Sequence, residues 1–252
     1  MNITAVIIAF NEEQKIERAV RSVDWASEVL VIDSDSTDRT REIAAELGAR
    51  VIMNAWPGFS AQKQFGADAA ANDWILSLDA DEVVSEELKT EILAIKKPEA
   101  GGFRIPRLSY YMGHAIRHSG WYPDWQMRLF DRREGEWSGA LIHESFKLAE
   151  GSRSGKLSSN IIHHSVENAQ HHHKMIGERY APLAARQMWS RGERTSPLRI
   201  ATAGFSAFFS SYILKAGFLD GLAGFCIARF AGQHAFLKHL CLWELQNGDP
   251  VE

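Results

Sequence analysis

Over the first 98 residues, short apolar runs alternate four times with helix-like segments, and this alternation restricts the fold more than any other feature of the chain. Residues 3–10, ITAVIIAF, are apolar throughout, as expected of a strand covered on both faces of a parallel sheet. In EEQKIERAVRSV the positions Ile16, Ala19, Val20 and Val23 fall at i, i+3, i+4 and i+7, a single helical stripe. Residues 28–33, EVLVID, read as a second strand. The SDSTD that follows supplies N-cap chemistry for a helix through Ile43, Ala44 and Leu47 that stops at Gly48. A third strand at 50–54, a helix at 62–71, a strand at 74–78 and an amphipathic helix at 85–95 ended by Pro98 complete the series. Repeated β-α units of this kind predict an α/β fold, a Rossmann-like and mostly parallel sheet with flanking helices.

Open parallel sheets bind ligands outside the carboxyl ends of their strands. Three polar clusters stand at such ends: Asn11-Glu12-Glu13 after the first strand, Asp33 after the second, and Asp79 and Asp81 in LSLDADE after the fourth. Strand alternation would turn Asp79 and Asp81 to one side, where a hard cation such as Mg²⁺ or Mn²⁺ takes oxygen ligands and phosphate. Asp35 and Asp38 read as helix caps. No Gly-x-Gly-x-x-Gly follows the first strand, and Asn11-Glu12-Glu13 would repel a pyrophosphate there, which argues against a dinucleotide oxidoreductase.

The net charge of −4 conceals an asymmetry. Residues 1–150 carry 17 Lys/Arg against 25 Asp/Glu, and residues 151–252 carry 11 against 7. The acidic first part makes nucleic acid an unsuitable partner, and the basic remainder suits an anionic surface. Cys226 and Cys241 have no metal-type spacing and read as buried thiols. Met1 to Thr4 run into the first strand without a basic n-region, so no export signal is expected.

From Gly101 to about Ile162 the pattern changes to short β-like runs, FRIPRLSYYMG, QMRLFDRR and ALIHESF, read as the acceptor-facing part of the same domain. Beyond it, residues 200–214 are apolar for about fifteen positions and 216–228 for fewer, short of the about 20 that a spanning helix needs. Lys174, Arg179, Arg186, Arg191, Arg194 and Arg199 precede them, against Glu178 and Glu193. This predicts helices lying in a membrane interface, with Phe205, Phe208, Phe209, Tyr212, Phe218 and Phe225 immersed. The alternatives are packing on the catalytic domain or on a second copy of the chain in a homodimer.

The ordered segments AFNEE, VLVIDSDSTDRT, GFSAQKQFGADAA and WILSLDADE resemble the family 2 glycosyltransferases with a GT-A fold. WYPDWQMRLFDRR, IHE and LKAGFLDGLAGF resemble the branch that glucosylates lipopolysaccharide inner core. The resemblance implies a GT-A catalytic domain over 1–165, with a nucleotide-binding half at 1–98 and an acceptor-binding half at 99–165. A helical extension over 166–252 would serve the membrane interface. It implies that Phe10, Asn11 and Glu12 line the nucleotide end of a UDP-sugar site, that Asp33 accepts a hydrogen bond from uracil, and that Lys63 contacts the nucleotide or its phosphates. Asp79 would lie near ribose and metal, and Asp81 would ligate Mg²⁺ or Mn²⁺.

An inverting displacement needs a carboxylate base. Glu144 in LIHE stands where the family commonly carries an acidic pair, and Asp124, flanked by aromatics that suit a sugar ring, is its rival. His163 is a further metal candidate beside a packed-histidine reading. The run His171-His172-His173 reads as solvated surface, and Arg128, Arg132 and Arg133 as groups that could steady phosphates. The function implied is transfer of glucose from UDP-glucose to a lipid-linked glycan at the cytoplasmic face of the bacterial inner membrane. The alternatives are a polyprenyl-phosphate sugar transferase and a non-catalytic nucleotide-sugar-binding protein.

Overall fold

The computed structural model describes residues 1–138 and 145–248, which form two compact units: Met1–Leu108 with Asp124–His163, and Ser109–Pro123 with His164–Glu252. In the first unit β1 (Ile3–Ala9), β2 (Glu28–Asp33), β3 (Arg50–Met53) and β4 (Trp74–Asp79) pair in parallel in the order β3-β2-β1-β4. They alternate with α1 (Ile16–Arg21), α2 (Thr40–Glu46) and α3 (Phe59–Ala69), and α4 (Glu86–Leu93) follows a short β5 (Glu82–Val84). The alternation read from sequence is therefore present. All seven residues of β1 are buried because its two faces enter two different cores: Ile3, Ala5 and Ile7 pack into one, Val6 and Ile8 into the other.

Local chemistry sets the helices. Ser85 caps α4 by accepting a hydrogen bond from Leu88 N, and Gly48, at φ 84°, ends α2 in the left-handed region that glycine adopts without strain. Gly66 lets α3 lie close on the sheet, since a Cβ there would meet Val6 Cγ1 at 2.5 Å and Ile32 Cγ1 at 3.1 Å.

The remaining strands are β6 (Gly102–Tyr111), β7 (His114–Ala115), β8 (Asp124–Asp131), β9 (Gly135–Trp137), β10 (Phe146–Leu148), β11 (Ser154–Lys156) and β12 (Ile161–Val166). β8 lies antiparallel between β4 and β6, β9 and β10 pair antiparallel in a separate two-stranded sheet, and the start of β12 pairs antiparallel with β5. One irregularity matters for the site. Phe103 faces Leu129 while the next residue, Arg104, faces Met127, so Arg128 is the extra residue of a bulge in β8.

The second unit takes the ends of β6 and β12 and the helices α5 (Ala169–Lys174), α6 (Ala181–Ser190), α7 (Pro197–Phe209) and α8 (Gly221–Asn247). Pro197 opens α7 with Ser196 as its cap, and α7 packs against the 27-residue α8. Gly204 and Gly232 meet at this crossing, because a Cβ on Gly232 would stand 2.8 Å from Gly204 O. Of the three consecutive histidines read as solvated, His172 is instead buried. Its Nδ1 lies 3.2 Å from Tyr111 Oη and its ring 4.0 Å from that of Phe230, while His173 is exposed. A helix turned inward at one position in three explains the difference. Burial beside His171 pushes His172 down to about 4.

No described helix is long and apolar enough to cross a membrane. Large apolar side chains are nevertheless uncovered along α7, the turn after it and the start of α8: Phe205 is 79% exposed, Leu222 78% and Leu198 73%, with Phe209, Leu214, Phe218 and Leu219 also exposed. Phe208 and Tyr212, expected among the immersed residues, are half-buried and stack on each other at 5.4 Å.

Candidate active site

The register of the parallel strands brings the polar clusters to one edge. Ala9 lies opposite Asp33 and Ile8 opposite Asp79, so the two aspartates end the strands on either side of β1, one residue apart in register and two strand spacings, about 10 Å, apart along the backbone ladder.

At the β1 end the chain turns sharply at Asn11, whose φ of 54° is tolerated by asparagine better than by most residues. The loop is tied to the one after β2: Asn11 N donates to Ser36 Oγ at 2.9 Å, Thr37 N to Asn11 Oδ1 at 2.8 Å, and Glu12 N to Thr40 Oγ1 at 2.8 Å. The Glu12 carboxylate pairs with Lys15 at 3.1 Å, and Phe10 is exposed beside the loop. Asp38, expected to cap the helix, stands one residue before the N-cap Arg39 and accepts from Thr40 N and Glu13 N, tying the two loops together.

Asp33 ends β2 fully buried. Its Oδ1 accepts from Ser36 N at 2.9 Å, with Arg41 Nε 3.8 Å away, while its buried Oδ2 has no hydrogen-bond partner among the described residues. A buried carboxylate oxygen left in this state costs free energy unless an N–H reaches it. Gln62, which sequence reading did not single out, frames the same loops by donating to Ser34 Oγ at 2.9 Å and accepting from Asn54 Nδ2 at 2.6 Å.

Asp79 and Asp81 differ. β4 ends at Asp79, so strand alternation does not govern Asp81, and the two carboxylates keep separate company. Asp79 lies between two cations, with Lys63 Nζ 2.9 Å from Oδ1 and Arg128 Nη2 2.9 Å from Oδ2. Burial alone would raise the Asp79 carboxyl, but these two cations hold it far below the usual carboxylate range. Lys63 is itself buried on α3, its Nζ also 5.2 Å from the centroid of Trp137. Asp81 Oδ2 lies 3.3 Å from His163 Nε2, both side chains partly open to solvent. Burial opposes ionisation of Asp81, and the hydrogen bond and charge of His163 outweigh it, keeping the carboxyl below its ordinary value.

A divalent cation would fit Asp81 and His163, because a carboxylate oxygen and an imidazole nitrogen 3.3 Å apart can both reach one ion of about 2 Å bond length. No group of three or more such ligands exists among the described residues, so further ligands would come from the bound anion or water.

Behind Asp79 lies a charge network that sequence reading missed. Fully buried Glu82 accepts from Arg128 Nη2 at 2.8 Å and Arg107 Nη1 at 3.1 Å through Oε1, and from Asp79 N at 3.0 Å through Oε2. Arg107 in turn grips Asp124 Oδ2 with Nη2 at 2.7 Å and Nε at 2.9 Å, and Gln126 donates to Asp124 Oδ1 at 2.7 Å. The aromatic neighbour of Asp124 does not join it. Trp125 alternates to the other side of β8, where Lys156 Nζ lies 4.9 Å from its ring centroid. Glu144, the favoured base, lies outside the described residues.

The three arginines differ in the same way. Arg128 is buried in the network, whereas Arg132 donates to the carbonyls of Ala67 and Ala70 at the end of α3, and Arg133 pairs with Asp131 and Asp73. Arg132 and Arg133 thus hold the fold together.

The family model for Glycosyl transferase family 2 matches residues 4–154, which include every residue of this network. The chain is 30% identical over 259 residues to an uncharacterized glycosyltransferase of Rickettsia bellii, covering 96% of this chain and 86% of that protein. It is 26% identical to the lipopolysaccharide core biosynthesis glycosyltransferase LpsC of Rhizobium meliloti, over 93% of this chain and 89% of that one. A crystal structure of glucosyl-3-phosphoglycerate synthase from Mycobacterium tuberculosis with Mn²⁺, UDP and glucosyl-3-phosphoglycerate is 27% identical over 44% of each chain. Its TM-score is 0.35.

Proposed function

Because the chain belongs to glycosyl transferase family 2, with its GT-A fold and transferase chemistry, we propose that it moves a sugar, glucose, from a UDP-sugar to a lipid-linked glycan such as lipopolysaccharide core. The observation that carries this reading is that Asp33 and Asp79 close β2 and β4, the two strands flanking β1, at the carboxyl edge of the sheet. The free Oδ2 of Asp33 would accept the N–H of uracil, and the loop of Phe10, Asn11 and Glu12 would border the nucleoside. Two strands away, Asp79 and Lys63 would border the ribose and phosphates. Asp81 and His163 would hold Mg²⁺ or Mn²⁺, which when bound supplies positive charge to the departing diphosphate.

The acceptor hydroxyl loses its proton as it attacks the anomeric carbon from the face opposite the diphosphate, which inverts that centre. Glu144 is the proposed base. Asp124 suits that task poorly, since Arg107 and Gln126 already occupy both of its oxygens. Glu144→Gln should keep UDP-glucose binding and lower transfer about 10²–10⁴-fold. Near-normal turnover in that variant removes the assignment.

A lipid-linked acceptor calls for attachment to a membrane. The exposed apolar side chains of α7 and α8, with Arg199, Lys215 and Arg229 on the same segment, support peripheral binding at the cytoplasmic face of the bacterial inner membrane.

The central test is thermal: UDP and UDP-glucose should raise the melting temperature more with Mn²⁺ than without it, because a ligand of the native state stabilises that state. Asp81→Asn should remove the manganese dependence and Asp33→Asn the binding of UDP. A wild-type protein indifferent to UDP-glucose in manganese overturns the donor assignment.

A further inference from the structure

Six charged side chains run through the first unit with strictly alternating sign: Lys63, Asp79, Arg128, Glu82, Arg107 and Asp124, each joined to the next at 2.7–3.1 Å. We infer that Glu82 is the positioning residue of the site, a single buried acid that sets Asp79 on the donor side and Asp124 on the other through one arginine each.

Glu82 is suited to this by its connections. Oε2 takes the amide of Asp79, which closes the turn after β4, and Oε1 takes a guanidinium from each of two strands, Arg128 of β8 and Arg107 of β6. The side chain is fully buried, so no water competes for these bonds, and in such surroundings each partner fixes the next. Arg128 reaches both Asp79 and Glu82 from a bulge, a backbone irregularity that re-aims one side chain without shifting the strand as a whole. Arg107 then brings two donors to one oxygen of Asp124, Oδ2, while Gln126 holds the other, so the carboxylate is fixed at both ends.

Because the inference rests on the donor-site reading above, its test is a double-mutant cycle that separates the two. UDP-glucose binding with Mn²⁺ and transfer rates are measured for wild type, Glu82→Gln, Asp124→Asn and the pair, at a temperature where all are folded. The relay requires Glu82→Gln to weaken UDP-glucose binding about tenfold, and Asp124→Asn to add little once Glu82 is gone, as coupled neighbours do. It also requires Asp124→Asn to leave the acidic limb of the pH–rate profile in place, which loss of a general base would abolish. Additive losses, or a folded Glu82→Gln that binds UDP-glucose like wild type, overturn the relay. If Glu82→Gln does not fold, Arg128→Lys with Asp124→Asn, two residues joined through Glu82 and Arg107, replaces that cycle, and additivity overturns the relay equally. If wild type binds no UDP-glucose, the donor reading fails and the relay is judged by the same cycle in urea unfolding, where additive losses again overturn it.

Discussion

The two units treat their surfaces in opposite ways. In the first, charged groups at the sheet edge are drawn inward and paired, down to the fully buried Glu82 between two arginines. In the second, large apolar side chains such as Phe205 and Leu222 stand outward with no cover within the unit. Burying charge is costly and persists only with close partners, and exposing contiguous apolar surface is costly unless something covers it. The first arrangement suits a rigid polar site and the second a contact surface.

The largest effect should come from breaking a pair in the first unit. Lys63→Ala leaves the buried side of Asp79 with Arg128 alone and should cost about 3–5 kcal/mol in urea unfolding, the usual loss when one partner of a buried pair is removed. A loss under about 1 kcal/mol would show that the pair is solvated in solution.

Next comes the histidine that the second unit buries. His172 is held neutral down to about 4, whereas in the unfolded chain it titrates near 6.5. The unfolded state therefore takes up its proton first as pH falls. The stabilisation is complete above about 6.5, declines as pH drops towards 4, and amounts to on the order of 3 kcal/mol. His172→Phe keeps the stacking on Phe230 and should remove that acid-dependent difference in melting temperature. An unchanged pH dependence would mean that His172 is solvated.

Reversing the character of the exposed face should cost folding little and attachment more. Phe205→Glu and Leu222→Glu should change unfolding by under about 0.5 kcal/mol, as surface substitutions do. Each should weaken flotation with anionic vesicles about tenfold or more, given the 1.5–3 kcal/mol that burial of a large apolar side chain is worth. Unaltered flotation would reassign the face to another partner. The smallest effect belongs to Arg21→Ala, whose pair with Glu17 is open to solvent on α1 and is worth about 0.3–0.5 kcal/mol.

The same contrast explains what could be read from sequence. β1, β2 and β4 announce themselves because a strand buried on both faces must be apolar at consecutive positions, and their carboxyl ends then locate Asn11, Asp33, Asp79 and Asp81 without further information. The partners of those residues carry no such signal. Arg128 meets Glu82 across 46 residues, and it does so from a bulge whose extra residue leaves no mark in the hydrophobic pattern. Glu82 itself stood in the acidic tip LDADE, where one more carboxylate looks like a solvated turn; a clue lay in its place between apolar Leu78 and Val83-Val84. His172 was hidden by its neighbours, since three identical residues in a row conceal which one a helix turns inward.

The bulge in β8 also bears on how such a chain can change over time. Strand positions usually tolerate exchange of one residue for another but not a change in their number, because one step shifts every side chain beyond it to the opposite face. Here the supernumerary position holds Arg128, so deleting it would both restore an ordinary ladder with β6 and strip Asp79 and Glu82 of a shared cation. Regular geometry and a working site are alternatives at this point in the chain, and only the irregular strand is compatible with the second.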